Sequence, residues 1–133
     1  MVDSMGEATP HTHIKEMDVL EALWDHPTAY IQFAAVDAAI AGMAVCFMNY
    51  STFRAAPFLN VHDLAVLPAC RGMGVGAALL HGVILHALQK KCAKITLEVR
   101  DDNTVARSLY SKLGFVSCTP SMEYLARDLS RFT

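Results

Sequence analysis

Apolar positions along the chain change period several times, and each change predicts an element. Ile14, Met17, Leu20, Leu23 and Trp24 recur at helical intervals. Asp25-His26-Pro27 ends that run, because proline disfavours helix in the residue before it. Tyr30 to Val36 and Ile40 to Met48 are apolar, partly β-branched or aromatic runs. They predict two strands joined by a tight turn at Asp37-Ala38-Ala39. Phe58 to Val66 predicts a third strand, ending before Pro68, which cannot donate to a ladder.

The second half reads differently. Leu79, Leu80, Val83, Ile84, Ala87 and Leu88 form one helical stripe that begins at a run of glycines. It ends at Gln89-Lys90-Lys91, where cations suit the negative end of the helix dipole. From Ala93 to Arg100 the pattern alternates, with Ile95, Leu97 and Val99 on one face. Strand, glycine turn, helix and strand make a βαβ unit, whose two strands should run parallel. Asp102-Asn103-Thr104 offers N-capping side chains to a second helix carrying Val105, Ala106, Leu109, Tyr110 and Leu113, with Gly114 as its stop. Phe115 to Cys118 and Met122 to Ala126, split by Thr119-Pro120-Ser121, predict a final antiparallel strand pair.

At 133 residues and 53% apolar content, the chain fits one domain with a real core, residues 1–133, of which residues 1–12 are expected to be a mobile leader. A formal net charge of −2 and 18% charged residues disfavour both a disordered chain and a basic nucleic-acid binder. The longest run free of polar residues, Ala38 to Met48, is well short of the roughly 20 residues that span a bilayer. No signal or transit pattern opens the chain, so the expected location is the cytoplasm, with neither membrane nor nucleic acid as partner. Cys46, Cys70, Cys92 and Cys118 are scattered without a Cys-x-x-Cys pair, and the six histidines lack ligand spacing, so no metal is expected. Charge is uneven: eight acids face only Lys15 and Arg54 in residues 1–70, whereas nine bases face five acids in residues 71–133. The second half could host an anion.

The segment Arg71-Gly72-Met73-Gly74-Val75-Gly76-Ala77 lies between a strand and a helix, where free N–H groups and the positive dipole end attract phosphate. A side chain at Gly74 or Gly76 would hold a pyrophosphate off those amides, and Arg71 adds a charge-assisted contact. Gly72-x-Gly74-x-x-Ala77 also satisfies a loose dinucleotide fingerprint, with Glu98 downstream. That reading is disfavoured by topology, since a dinucleotide turn follows the first strand of its domain. No Gly-Lys-Ser/Thr follows, so a Walker A loop is excluded.

Leu64 to Gly76, with its Arg71-x-x-Gly74-x-Gly76 core, resembles the acetyl-CoA-binding motif of the GNAT superfamily of N-acetyltransferases. Asn103-x-x-Ala106-x-x-x-Tyr110-x-x-x-Gly114-Phe115 is similar to the second motif of that family. The likeness spans residues 40 to 126, and Asn49 to Phe53 through His62-Asp63-Leu64 looks most like the diamine-acetyltransferase branch. By the resemblance, the family's usual first strand and helix are expected to lack a counterpart ahead of Ile14, which would leave apolar surface for a second subunit, so a homodimer is expected. The resemblance implies an α/β fold: a mixed, mostly antiparallel central sheet with a splayed parallel strand pair, flanked by helices.

It further implies acetyl transfer from acetyl-CoA to a primary amine, of a small molecule or a protein, by direct attack in a ternary complex. By resemblance, cofactor contacts fall at Leu64, Ala65, Val66, the turn Arg71, Gly72, Met73, Gly74, Val75, Gly76 and Ala77, and at Asn103, Ala106 and Tyr110. Tyr110 is the expected proton donor to the leaving thiolate, since a phenol of pKa near 10 is protonated at neutral pH. His62 and Asp63 are the candidate bases. Strict alternation would send them to opposite faces, with His62 sharing the parity of Leu64 and Val66. A non-catalytic acyl-CoA-binding regulatory module is the competing expectation, and a nucleotide-dependent oxidoreductase a more distant one.

Overall fold

The computed structural model describes residues 12–130. Elements follow in the order α1 (Thr12–Asp25), β1 (Ala29–Val36), β2 (Ala39–Ser51), β3 (Ala56–Val66), a short 3₁₀ turn (Pro68–Cys70), α2 (Val75–Gln89), β4 (Ile95–Leu97) and α3 (Thr104–Lys112). The strands form one sheet in the order β1-β2-β3-β4. The first two pairings are antiparallel and β3 pairs β4 in parallel. Of the expected leader, residues 1–11 lie outside the described residues.

The β1-β2 hairpin closes with Val36 opposite Ala39, so its loop is the two residues Asp37 and Ala38, both at positive φ (51° and 66°). Such a turn matches the twist of the flanking strands. Behind the sheet, α2 buries Val75, Leu79, Leu80, Val83 and Ala87 against Ala44, Cys46, Leu59 and Val61. Leu88, expected on the buried stripe, is exposed instead. Gly42 lets the helix come this close: a Cβ there would stand 2.9 Å from both the Ala65 carbonyl oxygen and Val75 Cγ1. Further along, His86 of α2 stacks on Tyr30 of β1 with ring centroids 3.5 Å apart. The Tyr30 hydroxyl donates to Gln32 Oε1.

Three expectations are corrected. The strand predicted over Ala93 to Arg100 contracts to Ile95–Leu97, because it pairs only with β3 and only opposite Leu59–Val61. Past that point the two parallel strands part, and β3 continues to Val66 paired only with β2. The final strand pair does not form: no strand occurs among the described residues after Leu97, and Val116, Met122, Tyr124 and Leu125 are exposed. An isolated two-stranded hairpin is marginal in water, and no edge of the sheet receives these segments. The helix over Ile14 to Trp24 does form, but Leu20 and Trp24 of its apolar stripe remain exposed, Trp24 by 85%.

Candidate active site

The divergence of β3 from β4 opens a cleft of about 910 Å³ between the end of β3, the glycine turn with the start of α2, and one face of α3. Its β3 wall is Leu64, Ala65 and Val66. Beyond Val61 the edge of β3 that faced β4 carries no ladder, so peptide groups there are available to an extended ligand. Leu64 and Val66 pack against the core on the α2 side.

The second wall is the glycine turn. Gly74 is the N-cap of α2 in the left-handed region (φ 79°) and offers no side-chain cap, so the first-turn N–H groups lack the usual capping partner. Gly72 is also left-handed, at φ 82°. A Cβ at either position would meet nothing within 4 Å, so neither glycine is required by packing inside the protein. The backbone conformation and the open space in front of it set the residue type. Gly76 differs, because a Cβ there would stand 3.1 Å from Leu109 Cδ2 of α3. Its expected role in admitting phosphate is joined by a packing role that the sequence did not reveal.

The third wall begins at Asn103, whose Oδ1 accepts the Ala106 N–H at 3.1 Å and caps α3. Ala106 and Tyr110 follow on the cleft face. Tyr110 is buried, and burial raises its phenol above the usual tyrosine range. Its ring also meets Phe115 at 6.0 Å.

Every expected cofactor position except Met73 lines this one cleft; Met73 is exposed. Cys70, Ser108 and Lys112 also line it and escaped sequence reading. Ser108 and Lys112 are one helical turn apart, so continuing the α3 periodicity from Thr104 would have found them. Lys112 gives the cleft a second cation besides Arg71.

His62 and Asp63 do not line the cleft. A bulge lies between them and β2: Val61 pairs with Cys46 and Asp63 with Val45, leaving His62 as the extra residue. The bulge shifts the alternation by one. Leu59 and Val61 before it, and Leu64 and Val66 after it, all belong to the α2 side, while His62 meets Phe47 and Asp63 lies opposite Val45 on the other face. The expectation of opposite faces for His62 and Asp63 is therefore corrected, as is the shared parity of His62 with Leu64. Both polar residues share the face away from α2.

Together these features define a class: an α/β domain in which a mixed sheet splays one parallel strand pair beside an uncapped, glycine-opened helix start. The description "Acetyltransferase (GNAT) family" matches residues 1–115, and the chain belongs to that family. It is 33% identical over 75 residues to thialysine N-epsilon-acetyltransferase of Bos taurus, covering 56% of this chain and 44% of the relative. To the Mus musculus protein of the same name it is 32% identical over 87 residues, covering 65% and 51%. The aligned part thus spans about half the length of these curated relatives. Among solved structures, a probable acetyltransferase superposes with a TM-score of 0.79 at 19% identity, covering 86% of this chain and 78% of the other. A putative acetyltransferase from Agrobacterium tumefaciens gives 0.76 at 22% identity, covering 94% and 84%. These likenesses establish the fold. No helix among the described residues is long and apolar enough to cross a membrane.

Proposed function

We propose that this chain is a single-domain N-acetyltransferase that moves the acetyl group of acetyl-CoA to a primary amine by direct attack in a ternary complex. The observation that carries the reading is the cleft that gathers Leu64 to Val66, the Arg71 turn, Asn103 and Tyr110. The residues fit the cofactor. The first-turn N–H groups of α2, with Arg71 and Lys112, suit a pyrophosphate and a further phosphate. The unpaired edge of β3 suits the amides of a pantetheine arm laid down as an added strand. Acetyl-CoA supplies an activated thioester when bound.

Tyr110 holds the proton that the departing thiolate takes up; its raised pKa keeps the phenol protonated at neutral pH. His62, at the bulge next to the end of the cleft wall, takes the proton of the attacking amine, directly or through one water. Asp63 beside it favours a cationic acceptor. In total one C–N bond forms, one C–S bond breaks, and one proton passes from nitrogen to the protein and one from Tyr110 to sulfur.

The thialysine relatives make a small-molecule amine the preferred acceptor class over a protein amine. The exposed apolar groups of α1 and of residues 116–129 support a homodimer in which a second copy covers them. Free Cys46, Cys70, Cys92 and Cys118 suit the reducing cytoplasm. The experiment is thiol release from acetyl-CoA across a panel of amines, with coenzyme A binding followed by calorimetry. Amine-dependent release that Tyr110→Phe abolishes supports the transferase. Tight coenzyme A binding without turnover on any amine contradicts it.

A further inference from the structure

Three rings stand in a row on the sheet face turned away from α2. His26, in the loop after α1, meets Phe47 of β2 edge to face with centroids 4.9 Å apart. Phe47 meets His62 of β3 in the same manner at 5.6 Å. The row runs from the β3 bulge, where Asp63 follows His62, to the loop between α1 and β1. Both imidazoles are exposed and Phe47 is half-buried, so the row is open to a ligand.

The outer imidazole is held in one orientation. The Thr28 backbone N–H lies 3.1 Å from His26 Nδ1, and Thr28 Oγ1 lies 3.2 Å from the same atom. A backbone N–H only donates, so Nδ1 accepts, and neutral His26 carries its proton on Nε2. The loop is tied to the sheet, because the Thr28 carbonyl accepts the Met48 N–H at 2.9 Å. The ring nitrogen left for a ligand is a donor. It can meet an oxygen and has nothing to offer a second ammonium group.

We infer that His26 is a specificity-determining residue of the acceptor site. Its Nε2–H donates to an oxygen, of a carboxylate or an amide carbonyl, at the far end of an acceptor whose amine lies at His62 and Asp63. The apolar chain between the two ends lies along Phe47. This inference rests on the N-acetyltransferase reading. Centroid steps of 4.9 and 5.6 Å limit the separation of the two imidazoles to a span that a lysine-like chain covers between its side-chain amine and its carboxyl group. A diamine or polyamine would instead set a cation against the Nε2–H. The acceptor class is therefore an amine with a terminal oxygen function.

The test measures kcat and KM for lysine, lysinamide and cadaverine with the wild type, His26→Ala and His26→Gln, alongside the coenzyme A Kd of each. Cadaverine keeps the chain and lacks the oxygen, and comparing lysine with lysinamide separates carboxylate from carbonyl. A hydrogen bond to such a group supports a preference of about tenfold or more in kcat/KM for an oxygen-bearing amine over cadaverine. His26→Ala erases that preference through KM, while His26→Gln, which keeps an N–H donor at similar reach, restores most of it; the coenzyme A Kd does not move. The inference is overturned if the wild type acetylates cadaverine as well as lysine and lysinamide, or if His26→Ala lowers all three acceptors alike. Coenzyme A binding together with wild-type turnover of cadaverine as efficient as that of lysine and lysinamide would sink this inference and leave the transferase standing. Absence of both binding and turnover would sink the two together.

Discussion

Gly76 of α2 and Leu109 of α3 touch so closely that a Cβ on the glycine would stand 3.1 Å from the leucine Cδ2. This contact sets the spacing of two cleft walls, since both residues line the cleft. Gly76→Ala must push α3 away by a few tenths of an ångström or strain Leu109. Overpacking costs about 1–3 kcal/mol, offset by the roughly 0.5–1 kcal/mol gained on replacing a helical glycine, so we expect a net stability loss of about 1 kcal/mol or less. Coenzyme A affinity should fall several-fold. Denaturant unfolding and calorimetric titration of the one variant check both.

Tyr110 combines burial with a place on the cleft wall. Tyr110→Phe keeps the ring and its contact with Phe115 but loses the proton. General-acid contributions predict a fall of about 10²-fold or more in kcat with an unchanged coenzyme A Kd. Steady-state kinetics with calorimetry separate this from a binding defect, in which affinity and rate would fall together.

His86 gives the fold a pH dependence. Burial, and then the nearby Lys90 ammonium, lower its pKa below the usual histidine range. The unfolded chain therefore binds a proton more readily than the folded one. This contribution to stability is complete above the ordinary histidine pKa of about 6.5. It is lost as the pH falls from there toward the lowered folded value. Thermal unfolding from pH 7.5 to 5 should show the midpoint dropping through this window, and His86→Phe, which retains a ring to stack on Tyr30, should flatten that part of the curve.

Ala38 sits at φ 66° in the two-residue hairpin loop, where a Cβ is strained. Relief of a left-handed conformation is worth about 1–2 kcal/mol, offset in part by the entropy of a new glycine. Ala38→Gly should therefore raise the unfolding midpoint, with a net gain of roughly 0.5–1 kcal/mol by chemical denaturation. No change in activity is expected, because the turn lies outside the cleft lining.

Much of this was legible from residue order. The helix starting at the glycines, the Asn103 cap and the β1-β2 hairpin follow from local rules of period, capping and turn chemistry. Because the two motifs follow the C-terminal ends of the parallel strands β3 and β4, their convergence on one cleft was also foreseeable. What escaped was set by partners rather than by local pattern. The bulge at His62 arises from how β3 registers on β2, and it reverses the alternation on which the base assignment depended. The strand after Ala93 and the segments after Phe115 have strand-like patterns, but a strand forms only as far as a neighbour pairs with it. Gly76 reads as a phosphate glycine until Leu109 appears beside it.

The central claim is that the cleft at the glycine turn holds coenzyme A. Calorimetric titration of coenzyme A into the wild type, Gly74→Val and Arg71→Glu tests it most directly, with circular dichroism to show that each protein is folded. The account predicts saturable binding of one coenzyme A per chain, weakened about tenfold or more by either substitution, since each removes a phosphate contact or sets a side chain in its place. No binding to the wild type, or equal affinity in both folded variants, would contradict it.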